Sequence, residues 1–83
     1  MKQLILTDRA KTDLAALDGG TRLRLAAIIQ RLVLTNAGHT KKLQGIDPPQ
    51  FRLRVGDWRI RFSRPDADTV RINRVQNRKD AYR

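Results

Sequence analysis

The chain has no cysteine and no glutamate, and all eight of its carboxylate side chains are aspartates. Without cysteine there is no disulfide framework, no thiol nucleophile and no thiolate metal site. The few aspartates are scattered among cations, which argues against a metal centre. No apolar run approaches the ~18 residues needed to span a bilayer. The opening Met1-Lys2-Gln3-Leu4-Ile5-Leu6-Thr7-Asp8 holds too short an apolar run for a signal peptide. No strong Lys/Trp amphipathic helix points to a membrane surface. The cytoplasm is the expected location.

What the chain does have is positive charge. Lys and Arg number 18 against 8 acidic residues, a formal net charge of +10. The excess runs from end to end. Such a domain repels itself when free, so a standing anionic partner is expected, nucleic acid first and an acidic protein second. Eighty-three residues predict one domain, residues 1–83, with a single modest core.

The arginines are patterned. Phe51-Arg52-Leu53-Arg54-Val55 and Trp58-Arg59-Ile60-Arg61-Phe62 each alternate apolar with cationic residues, the mark of a half-buried strand. Gly56-Asp57 between them suits a two-residue type II′ hairpin. That loop predicts Val55 opposite Trp58, Leu53 opposite Ile60 and Phe51 opposite Phe62, all on one face. On the other face Arg54 opposes Arg59 and Arg52 opposes Arg61. Like charges directly across a ladder destabilise it. Four guanidinium groups so placed fit a sheet that holds a polyanion.

Around this hairpin the pattern predicts a first strand over 3–6 and a helix capped by Thr7 or Asp8, with Ala10, Leu14 and Leu17 on its inner face. Asp18-Gly19-Gly20 reads as its stop through positive φ, with Thr21 capping a second helix. Leu25, Ile28, Ile29 and Leu32 form the buried stripe of that helix, and Asn36-Ala37-Gly38 ends it. The interval His39–Gln50, with Lys41-Lys42 and Pro48-Pro49, reads as a loop. Pro65-Asp66-Ala67-Asp68 reads as a turn and 69–76 as a strand, with Val70 and Ile72 inward and Arg71 and Asn73 on the arginine face. Val75 breaks the alternation, which a bulge near Asn73-Arg74 would explain. The fold class expected is α+β: an antiparallel sheet with an N-terminal helix pair on its apolar face, order βααβββ.

Lys42-Leu43-Gln44-Gly45, the 51–62 hairpin and the ending Val75-Gln76-Asn77-Arg78-Lys79-Asp80-Ala81-Tyr82-Arg83 together resemble the RelE/ParE superfamily of bacterial toxins. The likeness covers nearly the whole chain. It implies the toxin of a type II toxin–antitoxin pair, held in a hetero-oligomer by an acidic antitoxin. The RelE branch implies an mRNA interferase that cuts the codon in the ribosomal A site without metal or cofactor. A ribose 2′-hydroxyl attacks the neighbouring phosphate, and basic residues on the sheet stabilise the developing charge. Matched by position, Arg52 and Arg54 fall on the basic pair of the second strand, Arg59 on the arginine of the third, Arg78 on the arginine after the fourth and Tyr82 on the tail aromatic. The resemblance thus implies Arg54, Arg59, Arg78 and Tyr82 as catalytic residues. Arg52, Arg61, Arg71, Lys41 and Lys42 are the expected RNA-binding set. Guanidinium forks suit phosphate oxygens, and a tyrosine offers a base a stacking surface.

The chain departs from that pattern in three places. RelE members carry lysine at the second-strand pair, where this chain has arginine, which cannot be deprotonated in a protein. The Glu that other interferases use near the tail is missing, and Asn77 stands where many relatives have His. Tyr82, Asp80 and His39 remain as acid–base candidates. The alternatives are a ParE-like, non-enzymatic trap for DNA gyrase and an inactive antitoxin-binding member.

Overall fold

A computed structural model describes residues 2–35, 39–43, 45 and 49–81, the side chains of His39, Asp80 and Ala81 excepted. The elements run β1 (Gln3–Leu6), α1 (Asp8–Ala15), α2 (Gly19–Thr35), β2 (His39–Lys42), β3 (Phe51–Val55), β4 (Trp58–Asp66), β5 (Thr69–Asn77) and α3 (Arg78–Ala81). The sheet is five-stranded and mixed, in the order β1-β5-β4-β3-β2. The α+β class is as expected, with two differences inside the sheet.

The first difference is β1, which runs parallel to β5. The second is β2. His39–Lys42 is an edge strand antiparallel to β3, not the loop that its sequence suggests. His-Thr-Lys-Lys has no apolar alternation because neither of its faces is covered by the core. Edge strands are commonly charged in this way, which blocks pairing with other chains. Leu43 N–H then donates to the Gln50 carbonyl at 2.8 Å. Asn36-Ala37-Gly38 and Pro48 lie outside the described residues.

The hairpin register is the one that the two-residue loop dictates. Phe51, Arg52, Leu53, Arg54 and Val55 pair with Phe62, Arg61, Ile60, Arg59 and Trp58. Gly56 has φ +56°, the left-handed value that a primed turn requires at its first position. Further on, β4 extends through Pro65 and Asp66, and Ala67-Asp68 alone make the turn. Asp66 Oδ1 accepts from Asp68 N–H at 2.8 Å there, an Asx-type closure of the turn.

The phase break in the last strand is a bulge. Arg61 pairs with Arg74 but Phe62 pairs with Ile72, so Asn73 is the extra residue. It lets Val70, Ile72 and Val75 all reach the core, where they are buried.

The helices cover the apolar face. Leu25, Ile29 and Leu32 of α2 and Ala10 of α1 pack with Leu53, Ile60, Phe62, Val70, Ile72 and Val75. A fully buried side chain of this size contributes roughly 1.5–3 kcal/mol. Thr7 caps α1: its Oγ1 accepts from Ala10 N–H at 3.1 Å and donates to the Asn73 carbonyl at 3.1 Å. The α1–α2 junction departs from the glycine stop expected there. Asp18 is the cap, accepting Thr21 N–H at 2.8 Å on Oδ1 and the Thr21 hydroxyl at 2.9 Å on Oδ2. Gly19 and Gly20 form the first turn of α2 and neither takes a positive φ. These donors hold the Asp18 carboxyl below its ordinary range.

One more contact fixes the edge of the sheet. β1 covers β5 only from Thr69 to Ile72. Beyond that, α1 takes over: Asp13 Oδ2 accepts Val75 N–H at 2.9 Å and Arg74 Nε at 2.9 Å. An exposed strand edge is closed by a helix side chain.

Candidate nucleic-acid interface

Strand alternation and register together build the face opposite the helices. His39 pairs with Arg54, and Arg54 with Arg59. Lys41 pairs with Arg52, and Arg52 with Arg61. Two rows therefore cross β2, β3 and β4 side by side, one of His39, Arg54 and Arg59 and one of three cations, Lys41, Arg52 and Arg61. The row through Arg59 continues on β5 at Gln76, and the row through Arg61 continues at Arg74. Arg71 pairs with Ser63 one step further along.

Among the described residues the rows carry no internal counter-charge. The ion pairs formed among the described residues are Lys2–Asp68 at 3.8 Å and Arg74–Asp13 at 2.9 Å. Arg74 is thus drawn off the face to α1. Arg52, Arg54, Arg59, Arg61 and Arg71 form no ion pair among the described residues.

Arg59 is the most deeply set of them, with 6% of its surface exposed. Its Nη1 donates to the Gly56 and Trp58 carbonyls, each at 3.1 Å. Neutral carbonyls orient the guanidinium and leave its charge uncompensated. The Nε atoms of Arg59 and Arg61 are both buried without a hydrogen-bond partner. A buried donor left unpaired costs about 1–3 kcal/mol.

The other expected site residues fall around these rows. Lys41 belongs to the arginine face, but Lys42, its neighbour on the strand, pairs with Phe51 and so belongs to the opposite face. Lys42 joins Phe51, Ser63, Arg64, Pro65 and Arg71 around a cleft of about 480 Å³. That cleft draws residues from both faces and so sits at the end of the sheet remote from the Gly56 turn. Arg64 lies over the Phe62 ring at 5.5 Å from its centre, and Phe51 stacks on Phe62 at 5.5 Å. Trp58 and Phe62 side with the core.

Arg78 stands at the other end. Its N–H donates to the Asp57 carbonyl at 2.6 Å, which docks the start of α3 on the hairpin turn beside the Arg59 anchor. Asn77 plays a structural part, because its Oδ1 accepts Lys79 N–H at 3.1 Å, the geometry of a helix N-cap. Tyr82 lies outside the described residues. The register position of His39 beside Arg54 follows from β2, a strand for which the sequence carries no apolar signal.

The comparisons with known proteins decide the family. Residues 4–82 match the family described as ParE toxin of type II toxin-antitoxin system, parDE. This chain belongs to the ParE toxin family. It is a toxin of the type II toxin–antitoxin class. No curated protein matches it. Among solved structures it is similar to a RelB-RelE antitoxin-toxin complex from Methanococcus jannaschii, at 28% identity and a TM-score of 0.75, covering 94% of both chains. It is similar in fold to the intact E. coli RelBE complex, at 16% identity and a TM-score of 0.73, covering 93% of this chain and 96% of that one. The RelBE2 complex from Mycobacterium tuberculosis aligns at 22% identity and a TM-score of 0.68, covering 93% and 98%.

Proposed function

We propose that this toxin is a ribosome-dependent mRNA endonuclease whose arginine rows grip the scissile phosphate. One observation carries the reading: four guanidinium groups are opposed across the β3–β4 ladder and form no ion pair among the described residues. A face that forgoes stability in this way is suited to a phosphate, and the ParE match and the RelE-like fold are compatible with it.

In this mechanism the ribose 2′-oxygen attacks the adjacent phosphorus and the bond to the 5′-oxygen breaks. The products are a 2′,3′-cyclic phosphate and, once the leaving 5′-oxygen takes up through solvent the proton given up by the 2′-hydroxyl, a 5′-hydroxyl. Arg54 and Arg59 stabilise the charge that accumulates on the non-bridging oxygens, with Arg78 joining from the start of α3. The requirement for a 2′-hydroxyl restricts the substrate to RNA. Arginine cannot accept the 2′-proton. The chain's single histidine, His39, pairs with Arg54 in the ladder, so it is the first group to test as acceptor. Tyr82 is assigned to stacking on a base. Arg52, Arg61, Lys41 and Arg71 hold flanking RNA, and Lys42 contacts it from the end of the sheet.

An acidic antitoxin is the proposed partner in a hetero-oligomer, as in the RelBE complexes that this chain resembles. Its charge complements the +10 of the toxin, and the affinity should fall steeply with salt. A ribosomal target implies action in the cytoplasm, which is the proposed location. No helix among the described residues is long and apolar enough to cross a membrane.

The second reading is a non-enzymatic gyrase inhibitor. It is favoured by the ParE description of the matching family and by arginines where RelE toxins have lysines. Primer extension on translated mRNA after induction separates the two. Cuts inside codons that vanish with Arg59→Gln support the nuclease. Intact transcripts with an induced DNA-damage response support gyrase.

A further inference from the structure

The register separates the cations into two rows with different commitments. In the first, Arg59 is tied by Nη1 to the carbonyls of Gly56 and Trp58, next to Arg54. In the second, Lys41, Arg52 and Arg61 follow one another across three strands. The fourth member, Arg74, is held by Asp13. Arg61 keeps a buried Nε with no acceptor. The rows are two residues apart along each strand, which is about 7 Å. Adjacent phosphorus atoms in an extended single strand are separated by a similar distance.

We infer that Lys41, Arg52 and Arg61 form a second phosphate subsite, which holds the phosphate next to the one bound at Arg54 and Arg59. The inference rests on the reading of this face as an RNA site, and it makes Arg61 a positioning residue that fixes the register of the strand on the sheet. Two points of attachment set the direction and offset of a single strand, which one point does not. The neighbouring phosphate is then delivered to the Arg54–Arg59 row without Arg61 touching the reacting atoms. An acidic protein segment would meet the rows differently, because its carboxylates alternate between faces when it is extended.

The test is direct binding with the purified toxin, with no ribosome present. The probes are a fluorescent six-nucleotide single-stranded RNA and the dinucleotide UpA, which has one phosphate. Arg61→Met should lower hexamer affinity about tenfold at low salt, through loss of a charged contact. It should also reduce the magnitude of the log–log salt slope by about 0.7, one phosphate contact on a single strand. UpA binding should fall by much less than hexamer binding in Arg61→Met, through the loss of a nearby charge alone, and be lost in Arg59→Gln. A thermal melt of Arg61→Met no lower than the parent's establishes that the variant is folded, and Arg52→Met gives an independent second variant. An unchanged salt slope for the hexamer, or an equal loss for UpA and hexamer, overturns the subsite. So does loss of binding to an acidic antitoxin with RNA binding intact. A parent toxin that binds the hexamer as described but leaves ribosome-bound mRNA uncut sinks the nuclease reading and spares the subsite.

Discussion

Arg61 lies directly across the β3–β4 ladder from Arg52, with its Nε buried and without an acceptor. Two cations in that relation repel each other, and folding pushes them together. Replacing one with an apolar side chain of similar reach should therefore stabilise the free toxin. Arg61→Met is expected to gain about 0.2–1 kcal/mol, read as a rise of a few degrees in melting temperature. The gain should shrink as added salt screens the pair. A variant less stable than the parent at every ionic strength would show that Arg61 contributes packing that outweighs the repulsion.

Asp13 closes the edge of β5 by serving two donors, the Val75 N–H and the Arg74 guanidinium. Asp13→Ala leaves both without their acceptor and should cost about 1–3 kcal/mol in urea unfolding. Asp13→Asn should cost less, since an amide oxygen still accepts from Val75. Equal losses for the two variants would assign the effect to charge alone.

Asp18 makes stability depend on pH. Its carboxyl is held below the ordinary value of 3.8, first by the backbone N–H of Thr21 and then by the Thr21 hydroxyl. The Asp66 carboxyl is lowered in the same way by Asp68 N–H. A group whose folded-state value is depressed stabilises the fold fully above its unfolded value, and the benefit is lost as pH falls through the folded one. Asp18→Ala should thus melt lower than the parent at neutral pH, and the gap should narrow below about pH 4. A gap constant across that range would contradict the charged cap.

Gly56 couples the turn to the site. Its φ of +56° suits glycine, and its carbonyl receives Arg59 Nη1. The nearest atom to an added Cβ is 4.0 Å away, so the cost of Gly56→Ala is conformational rather than steric, about 1–2 kcal/mol. Gly56→Asn should cost less, since asparagine tolerates that region. Hexamer RNA binding should weaken in Gly56→Ala in proportion to the displaced Arg59 anchor. Full binding in a destabilised protein would show that the anchor does not depend on the turn.

The hairpin was legible because two signals agreed: period-two alternation and a two-residue loop that allows one register. With the register came the opposed arginines. The bulge was legible as a phase error at Val75, and its position at Asn73 needed the partner strand. β2 was not legible, because a charged edge strand has no apolar face to mark it, and with it went the separation of Lys41 from Lys42 and the place of His39. The Asp18 cap was obscured by the two glycines after it, which suggest a helix end in sequence but form the first turn of α2. The Asp13–Arg74 pair, 61 residues apart, follows from α1 lying along a strand edge, which no local pattern encodes.

The central claim is phosphate cleavage by 2′-hydroxyl attack at the Arg54–Arg59 row. The most direct test presents purified toxin with translating ribosomes carrying an mRNA whose A-site codon is either native or 2′-deoxy at the cleavage position. Cutting of the native codon to a 2′,3′-cyclic phosphate end, with the deoxy codon left whole and Arg59→Gln inactive, is the predicted result. Both messages left whole by the parent toxin, or cut alike, would contradict it.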